Sequence, residues 1–399
     1  MSVTAVEGFE AAGIASGIKP SGNPDLAIVA TADRRSVTAA GVFTTNLAQA
    51  APVQVTRAHL ADGRAAAVIL SSGNANAATG DAGRADALRM CTLAAEGIGV
   101  AAHDVLVCST GLIGIPMPMA PVESGVPALC AELAPGPEAG LRAATALMTT
   151  DTVAKQSRAD ADLGDGRHIH VGGMAKGAAM LQPAMATMLA VLTTDAVVGP
   201  DALHSALERA VQDSFNALIV DACTSTNDTV LVLANGASGG PEIGTSGHAY
   251  HALVEALSTV CDDLAHQMAA DAEGATKLAT LTVRGARSGD EARRAARAVA
   301  ASQLVQCSLY GQDPYWGRVL SELGASGAFL DPERVDITYN GVTVCRHGIA
   351  AIHDETALRE SMTRRDIEIV CHLHAGRGEA TVRFTDLTHA YVDENMGTS

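Results

Sequence analysis

The stretch from Lys176 to Leu189 constrains this chain most, because after its opening lysine it holds no charged residue. A run this apolar belongs inside a protein. Lys176, Gln182 and Pro183 interrupt it, so it makes a poor membrane span, which needs about 20 consecutive apolar residues. Residues 187–194 then read as a strand. The residue that opens this strand is Thr187, directly after the small Ala186. Breaking the Ala186–Thr187 bond would give Thr187 a free α-amine beside its own hydroxyl, so that nucleophile and base sit in one residue. Taken alone, Thr187 better suits a buried strand threonine bonded to a neighbouring carbonyl, and Lys176 a solvated surface lysine.

The rest of the chain can supply a core for such a segment. It has 399 residues, 48% of them hydrophobic, enough for two domains or one large one. Aromatic residues make up 3%, so the core must be built from Ala, Val, Leu, Ile and Met. The net charge of −17 argues against nucleic-acid binding, which needs clustered Lys and Arg. The eight cysteines lie singly, with no Cys-x-x-Cys pair, which fits a reducing cytoplasm. The first residues lack a basic region and a long apolar core, so no signal peptide is expected. No Gly-rich phosphate loop of the Walker or dinucleotide type is present, and no nucleotide cofactor is expected.

Short β-rich runs occupy 25–30, 40–45, 66–70 and 105–108, and a helix is expected over about 84–96. Pro200 suits the first turn of a second helix, in which Leu203, Leu207 and Val211 recur four apart. A long amphipathic helix is expected over 248–272, and Gly289-Asp290 precedes another that runs to about 301. Strands return at 335–339, 342–345, 367–372 and 380–384. Asn340-Gly341 between two of them is a hairpin signal. The stretch near Pro135 reads as a loop, and Gly311-Gln312-Asp313-Pro314 as a structural turn. This order gives an α+β fold rather than repeating βαβ units. His168 with His170, and Cys371 with His372 and His374, share strand faces, but no further ligands stand at metal spacing, so no metal site is expected.

Several separated motifs resemble the ornithine acetyltransferase family, also called glutamate N-acetyltransferase, of arginine biosynthesis. They are Gly17-Ile18-Lys19, Ser72-Gly73-Asn74-Ala75-Asn76-Ala77 with Thr79-Gly80, Cys108-Ser109-Thr110-Gly111-Leu112-Ile113-Gly114 and Met148-Thr149-Thr150-Asp151. Met185-Ala186-Thr187-Met188-Leu189, Ser225-Thr226-Asn227-Asp228-Thr229 and Asp271-Ala272-Glu273-Gly274 complete the set. The resemblance runs from end to end. It departs at Ala179, where the family usually has glycine, at Tyr315, where it usually has asparagine, and in the shorter tail after Asn395.

The resemblance implies mixed sheets sandwiched between helices, as in acyltransferases of the N-terminal-nucleophile type. It implies self-cleavage into an α chain of 1–186 and a β chain of 187–399, assembled as an α2β2 heterotetramer in the cytoplasm, with no membrane and no nucleic-acid partner. Thr187 becomes the nucleophile, and Thr110 and Gly111 the oxyanion hole. The positions matching substrate contacts are Thr150, Lys176, Thr187, Glu273, Asn395 and Ser399. The acetyl group of N2-acetyl-L-ornithine would rest on Thr187 as an ester and pass to L-glutamate, a ping-pong scheme. No bound cofactor is implied, although some members use acetyl-coenzyme A as a co-substrate. Three other readings stay open from sequence: a paralogue acting on a different amino acid, an N-terminal-threonine amidase that passes the acyl group to water, and a silent binding protein.

Overall fold

The structure is a computed structural model that describes residues 2–179, 188–221 and 223–396. Among these residues the strands form three sheets, and the chain divides into two compact units. The first unit contains residues 2–177, 188–215 and 224–268; the second contains 178–179, 216–221, 223 and 269–396. Chain from both sides of the expected cleavage position therefore enters the first unit.

In the first unit, one sheet has the order β1 (Phe9–Ile14), β2 (Leu26–Thr31), β5 (Ala67–Asn74), β6 (Val105–Leu112). Its strands are apolar on both faces, and alternation sorts them. Leu26 and Ile28 of β2, Ile69 of β5 and Val107 of β6 pack on one side with Val55, Met90, Val126 and Leu129. Those partners come from α1 (Ala51–His59), α2 (Gly80–Ile98) and α3 (Met119–Ala131). Val29, Leu70 and Leu106 face the other way, toward Leu147 of α4 (Pro137–Leu147) and toward Met174, Leu189, Val191 and Leu231.

Those last four residues belong to the second sheet. Its order is β4 (Arg64–Ala65), β3 (Val37–Phe43), β11 (Thr229–Ala234), β9 (Leu189–Thr194), β8 (His168–Lys176), β7 (Lys155–Asp162). β9 and β11 are parallel, with Leu189 opposite Thr229. β8 and β9 are antiparallel, with Lys176 opposite Leu189. Gly173 of β8 leaves room for Leu192, Val260 and Leu264; the last two lie on α6 (His248–Ala270). Pro200 stands in the first turn of α5 (Pro200–Gln212), as its fixed φ favours.

The second unit holds a seven-stranded sheet. Its order is β10 (Leu218–Ile219), β17 (Gly378–Thr385), β12 (Leu278–Ala286), β16 (Asp366–His372), β13 (Asp336–Tyr339), β14 (Val342–Arg346), β15 (Ile349–Ala350). Leu281, Ile337, Ile369 and Val382 line its apolar face, against Ala292, Ala295, Ala296 and Val299 of α7 (Gly289–Ala301). That spacing is the narrow stripe of an amphipathic helix. The Ser288 hydroxyl accepts the Glu291 N–H and caps α7, a contact that contributes about 1 kcal/mol. The helices α8 (Gln303–Tyr310), α9 (Trp316–Ala325), α10 (Glu355–Met362) and α11 (His389–Asn395) complete the unit.

The α+β class with mixed sheets holds, and the Asn340-Gly341 hairpin joins β13 to β14. Several boundaries move. The helix expected from 84 starts at Gly80. The strand expected to stop at 108 continues through Thr110 and Gly111 to Leu112. The strand expected at 187–194 is described over Leu189–Thr194, with Met188 outside it. The loop near Pro135 runs straight into α4, with Pro137 in its first turn. Helix α3 escaped the sequence reading because Pro127 lies inside it; burial of Val122, Val126 and Leu129 holds it instead. No helix among the described residues is long and apolar enough to cross a membrane.

Candidate active site

The site in the first unit grows from the adjacent ends of β5 and β6. Ser72 lies opposite Thr110, and Gly73 opposite Gly111, after which the register shifts. Gly111 has φ +135°, and a Cβ there would stand 2.3 Å from the Gly73 carbonyl carbon. Only glycine fits so close a backbone approach. The Ser71 and Ser109 hydroxyls meet at 2.9 Å between the two strands. The Asn227 side-chain amide donates to the carbonyl oxygens of Ala75 (2.6 Å) and Ser109 (2.8 Å). Asn74 Nδ2 donates to Ile115 O and Pro116 O, which fixes the chain beyond Gly111. Thr110 itself is 2% exposed.

Lys176, the last residue of β8, is buried. Its Nζ donates to Thr110 Oγ1 at 3.3 Å. The next residue, Gly177, donates its N–H to Asp151 Oδ1 at 2.8 Å. The same oxygen accepts Lys155 Nζ at 2.6 Å, and Asp151 Oδ2 accepts the Thr149 N–H. Burial pushes the Asp151 carboxyl up. The Lys176 and Lys155 ammonium groups and the Gly177 N–H outweigh that and hold it down at about 2. Lys19 Nζ donates to the Pro24 and Met148 carbonyls. Burial lowers its pKa, with the Asp25 carboxylate opposing and Lys176 adding to the fall. Asp25 in turn gathers the N–H groups of Ser16, Gly17 and Lys19, so the Gly17-Ile18-Lys19 motif is a loop wrapped on one carboxylate. Thr150 is exposed beside the buried Asp151.

The Ser225–Thr229 motif meets the start of β9. Asp228 Oδ1 accepts the Met188 N–H at 2.9 Å, and the Thr229 N–H donates to Met188 O at 3.1 Å. Both polar groups of the Met188 backbone are thus held from one segment. Ala186 and Thr187, the expected cleavage site and nucleophile, lie outside the described residues.

In the second unit the structure brings Glu273 and Asn395 together. Asn395 Nδ2 donates to Glu273 Oε2 at 2.8 Å, and the Glu273 N–H donates to Ala178 O. Tyr391 fixes α11 by donating its hydroxyl to Asp221 Oδ2 at 3.0 Å. Burial and the Asp221 carboxylate raise the Tyr391 pKa. Thr388 accepts the Tyr391 N–H and donates to Gly274 O. A Cβ at Gly274 would meet Tyr391 N at 2.4 Å, so the glycine after Glu273 lets α11 come close. Ser399 lies outside the described residues.

Tyr315 with its neighbours, and the paired histidines, have different surroundings. Trp316 packs against the core of the second unit, and Arg318 donates to Leu304 O at 2.7 Å. Tyr315 lies under the Arg318 guanidinium at 5.4 Å. His168 is exposed, whereas His170 is half-buried and bonded to Asp195 at 2.7 Å. His374 Nε2 bonds Asp336 at 2.9 Å, with its ring 3.7 Å from that of His372. Among the described residues, no group of three or more His, Cys, Asp or Glu is placed to hold a metal ion.

The chain matches the ArgJ family over residues 10–397. It is 46% identical to the arginine biosynthesis bifunctional protein ArgJ of Symbiobacterium thermophilum over 393 residues, covering 98% of this chain and 97% of that protein. The protein of the same name from Mycobacterium leprae is 48% identical, covering 100% and 95%. Among solved structures, ArgJ of Bacillus halodurans is similar with a TM-score of 0.50 and 33% identity. That match takes in 51% of this chain and 96% of the solved chain. Coverage of nearly the whole length at this identity establishes that the protein belongs to the ArgJ family.

Proposed function

We propose that this chain is a self-cleaving acetyltransferase of arginine biosynthesis, moving the acetyl group of N2-acetyl-L-ornithine to L-glutamate through Thr187. The observation that carries the reading is the Lys176–Thr110 contact on a strand end that lies opposite Leu189, two residues beyond Thr187. A buried ammonium on a buried hydroxyl is a site ready to stabilise negative charge as it develops. The family membership supports the same chemistry, since the relatives' names place them in arginine biosynthesis.

In self-cleavage the Thr187 hydroxyl attacks the Ala186 carbonyl carbon. The C–N bond breaks, and water hydrolyses the resulting ester. The Thr110 hydroxyl and the Gly111 N–H take the oxyanion. The freed Thr187 amine then serves as base while its hydroxyl attacks the N-acetyl group of the donor. Ornithine leaves, and the glutamate amine takes the acetyl group from the ester. Lys176 pairs with the substrate carboxylate. Glu273, oriented by Asn395, holds the δ-ammonium of ornithine, with Thr150 and Ser399 as further substrate contacts. We propose an α2β2 assembly with no resident cofactor, in which acetyl-coenzyme A enters only as another acetyl donor.

The test is intact mass under denaturing conditions, beside Thr187→Ala, followed by transfer assays. Fragments beginning at Met1 and Thr187, absent from the variant, together with acetyl transfer that requires glutamate, are expected. An uncut wild-type chain would overturn the reading. Acetyl release independent of glutamate would point to the amidase instead.

A further inference from the structure

Asp228 stands at the entry to β11, and its side chain is fully buried. Its two oxygens differ. Oδ1 accepts the Met188 N–H at 2.9 Å. Oδ2 is buried with no hydrogen-bond partner among the described residues. A buried polar atom left unmatched costs stability, about 1–3 kcal/mol in typical cases, so its retention needs a reason. Met188 directly follows residue 187, so its N–H belongs to the peptide bond joining the two. The unmatched oxygen therefore belongs to a carboxyl anchored one residue from the proposed cut.

We propose that Asp228 is the proton relay of self-cleavage, a role that rests on the self-cleaving reading above. As Thr187 Oγ bonds to the Ala186 carbonyl carbon and the C–N bond breaks, Asp228 gives its proton to the departing nitrogen and takes up the hydroxyl proton. One proton passes from Oγ to N, and the carboxyl ends as it began. The reaction needs no other participant until water cleaves the ester.

The surroundings suit an acid that starts protonated. Burial drives the Asp228 carboxyl well above the usual carboxylate range, against the opposing pull of the Met188 N–H, the Ser225 hydroxyl and the Lys176 ammonium. Among the described residues, the charged side chain acting on it is Lys176 of β8, which itself faces Asp151 and Thr110.

Asp228→Asn separates this role from a structural one. The amide keeps an oxygen for the Met188 N–H but cannot exchange a proton. The expected result is a folded precursor, by circular dichroism and Tm, that cuts itself at least about 100-fold more slowly than wild type. Asp228→Ala should also persist uncut, and added formate should accelerate its cleavage by filling the space with a small carboxylic acid. A folded Asp228→Asn chain that matures at the wild-type rate would overturn the proposal. If that variant does not fold, a formate-insensitive Asp228→Ala precursor overturns it. Wild type found uncut defeats the self-cleaving reading itself, whereas wild type cut beside an unaffected Asp228→Asn defeats only the relay.

Discussion

Asp151 and Lys155 form an ion pair 2.6 Å long in which both side chains are wholly buried. The same Asp151 oxygen receives the Gly177 N–H, so the pair fixes the turn of chain immediately after Lys176. Removing one member of such a pair costs about 3–5 kcal/mol. Asp151→Asn should lower the denaturant midpoint accordingly and loosen the lysine that reaches Thr110. Denaturant titration checks the first effect and the rate of maturation the second. Because the folded carboxyl is held at about 2, below its unfolded value of roughly 4, this contribution is full above that unfolded value. It is lost as pH falls through about 2.

Thr110→Ala should slow both maturation and acetyl transfer by about 100- to 1,000-fold, the usual effect of losing one oxyanion donor. Thr110→Ser, which keeps the hydroxyl, should recover much of the rate. Mass spectra taken over time after synthesis follow the first reaction, and steady-state assays follow the second. Equal loss in the serine variant would show that the methyl group, not the hydroxyl, matters.

Glu273→Gln should raise the KM for acetylornithine by roughly 10- to 100-fold, since a hydrogen bond to a charged group contributes about 1.5–3 kcal/mol. Self-cleavage should be untouched. Asn395→Ala should act in the same direction but less, because Asn395 orients the Glu273 carboxylate. A Glu273→Gln enzyme with unchanged donor KM removes Glu273 from substrate binding.

Asp228 has the opposite pH signature from Asp151. Its folded pKa is raised, so the unfolded chain loses that proton first as pH climbs. Stability is then greatest below the unfolded value of roughly 4 and declines above it. Asp228→Asn removes the ionisation, so it should raise Tm at neutral pH and leave it nearly unchanged near pH 3 to 4. Thermal melts across pH, on uncut chains with Thr187→Ala in the background, make the comparison. A variant less stable at neutral pH would show that the carboxyl is not held protonated.

Much of this was legible in residue order. Alternation and turn residues located β13, β14, β16 and β17 closely, and Pro200 marked the start of α5. What stayed hidden depends on contacts between distant segments. Asp151 and Asp228 both stood in recognised motifs, yet nothing in one sequence tells which carboxylate faces a lysine and which is left with an unmatched oxygen. Asp25 was invisible for the same reason: its partners are backbone N–H groups, which carry no residue signature. The continuation of β6 through Gly111 escaped because glycine reads as a strand end, while here the neighbouring Gly73 backbone demands it.

The order of the second sheet carries a consequence of its own. β11 and β9, which follow residue 187, lie between β3 and β8, which precede it. With the chain cut after residue 186, the earlier fragment would supply two separate pairs of strands, β4 with β3 and β8 with β7, and the later fragment's β11 and β9 would be enclosed between them. The proposed cut would turn an intramolecular fold into a two-molecule one. Before the cut, refolding proceeds at a rate independent of protein concentration; afterwards it depends on two fragments meeting. A matured enzyme that unfolds in dilute solution should therefore stay lost, while an uncut Thr187→Ala chain recovers.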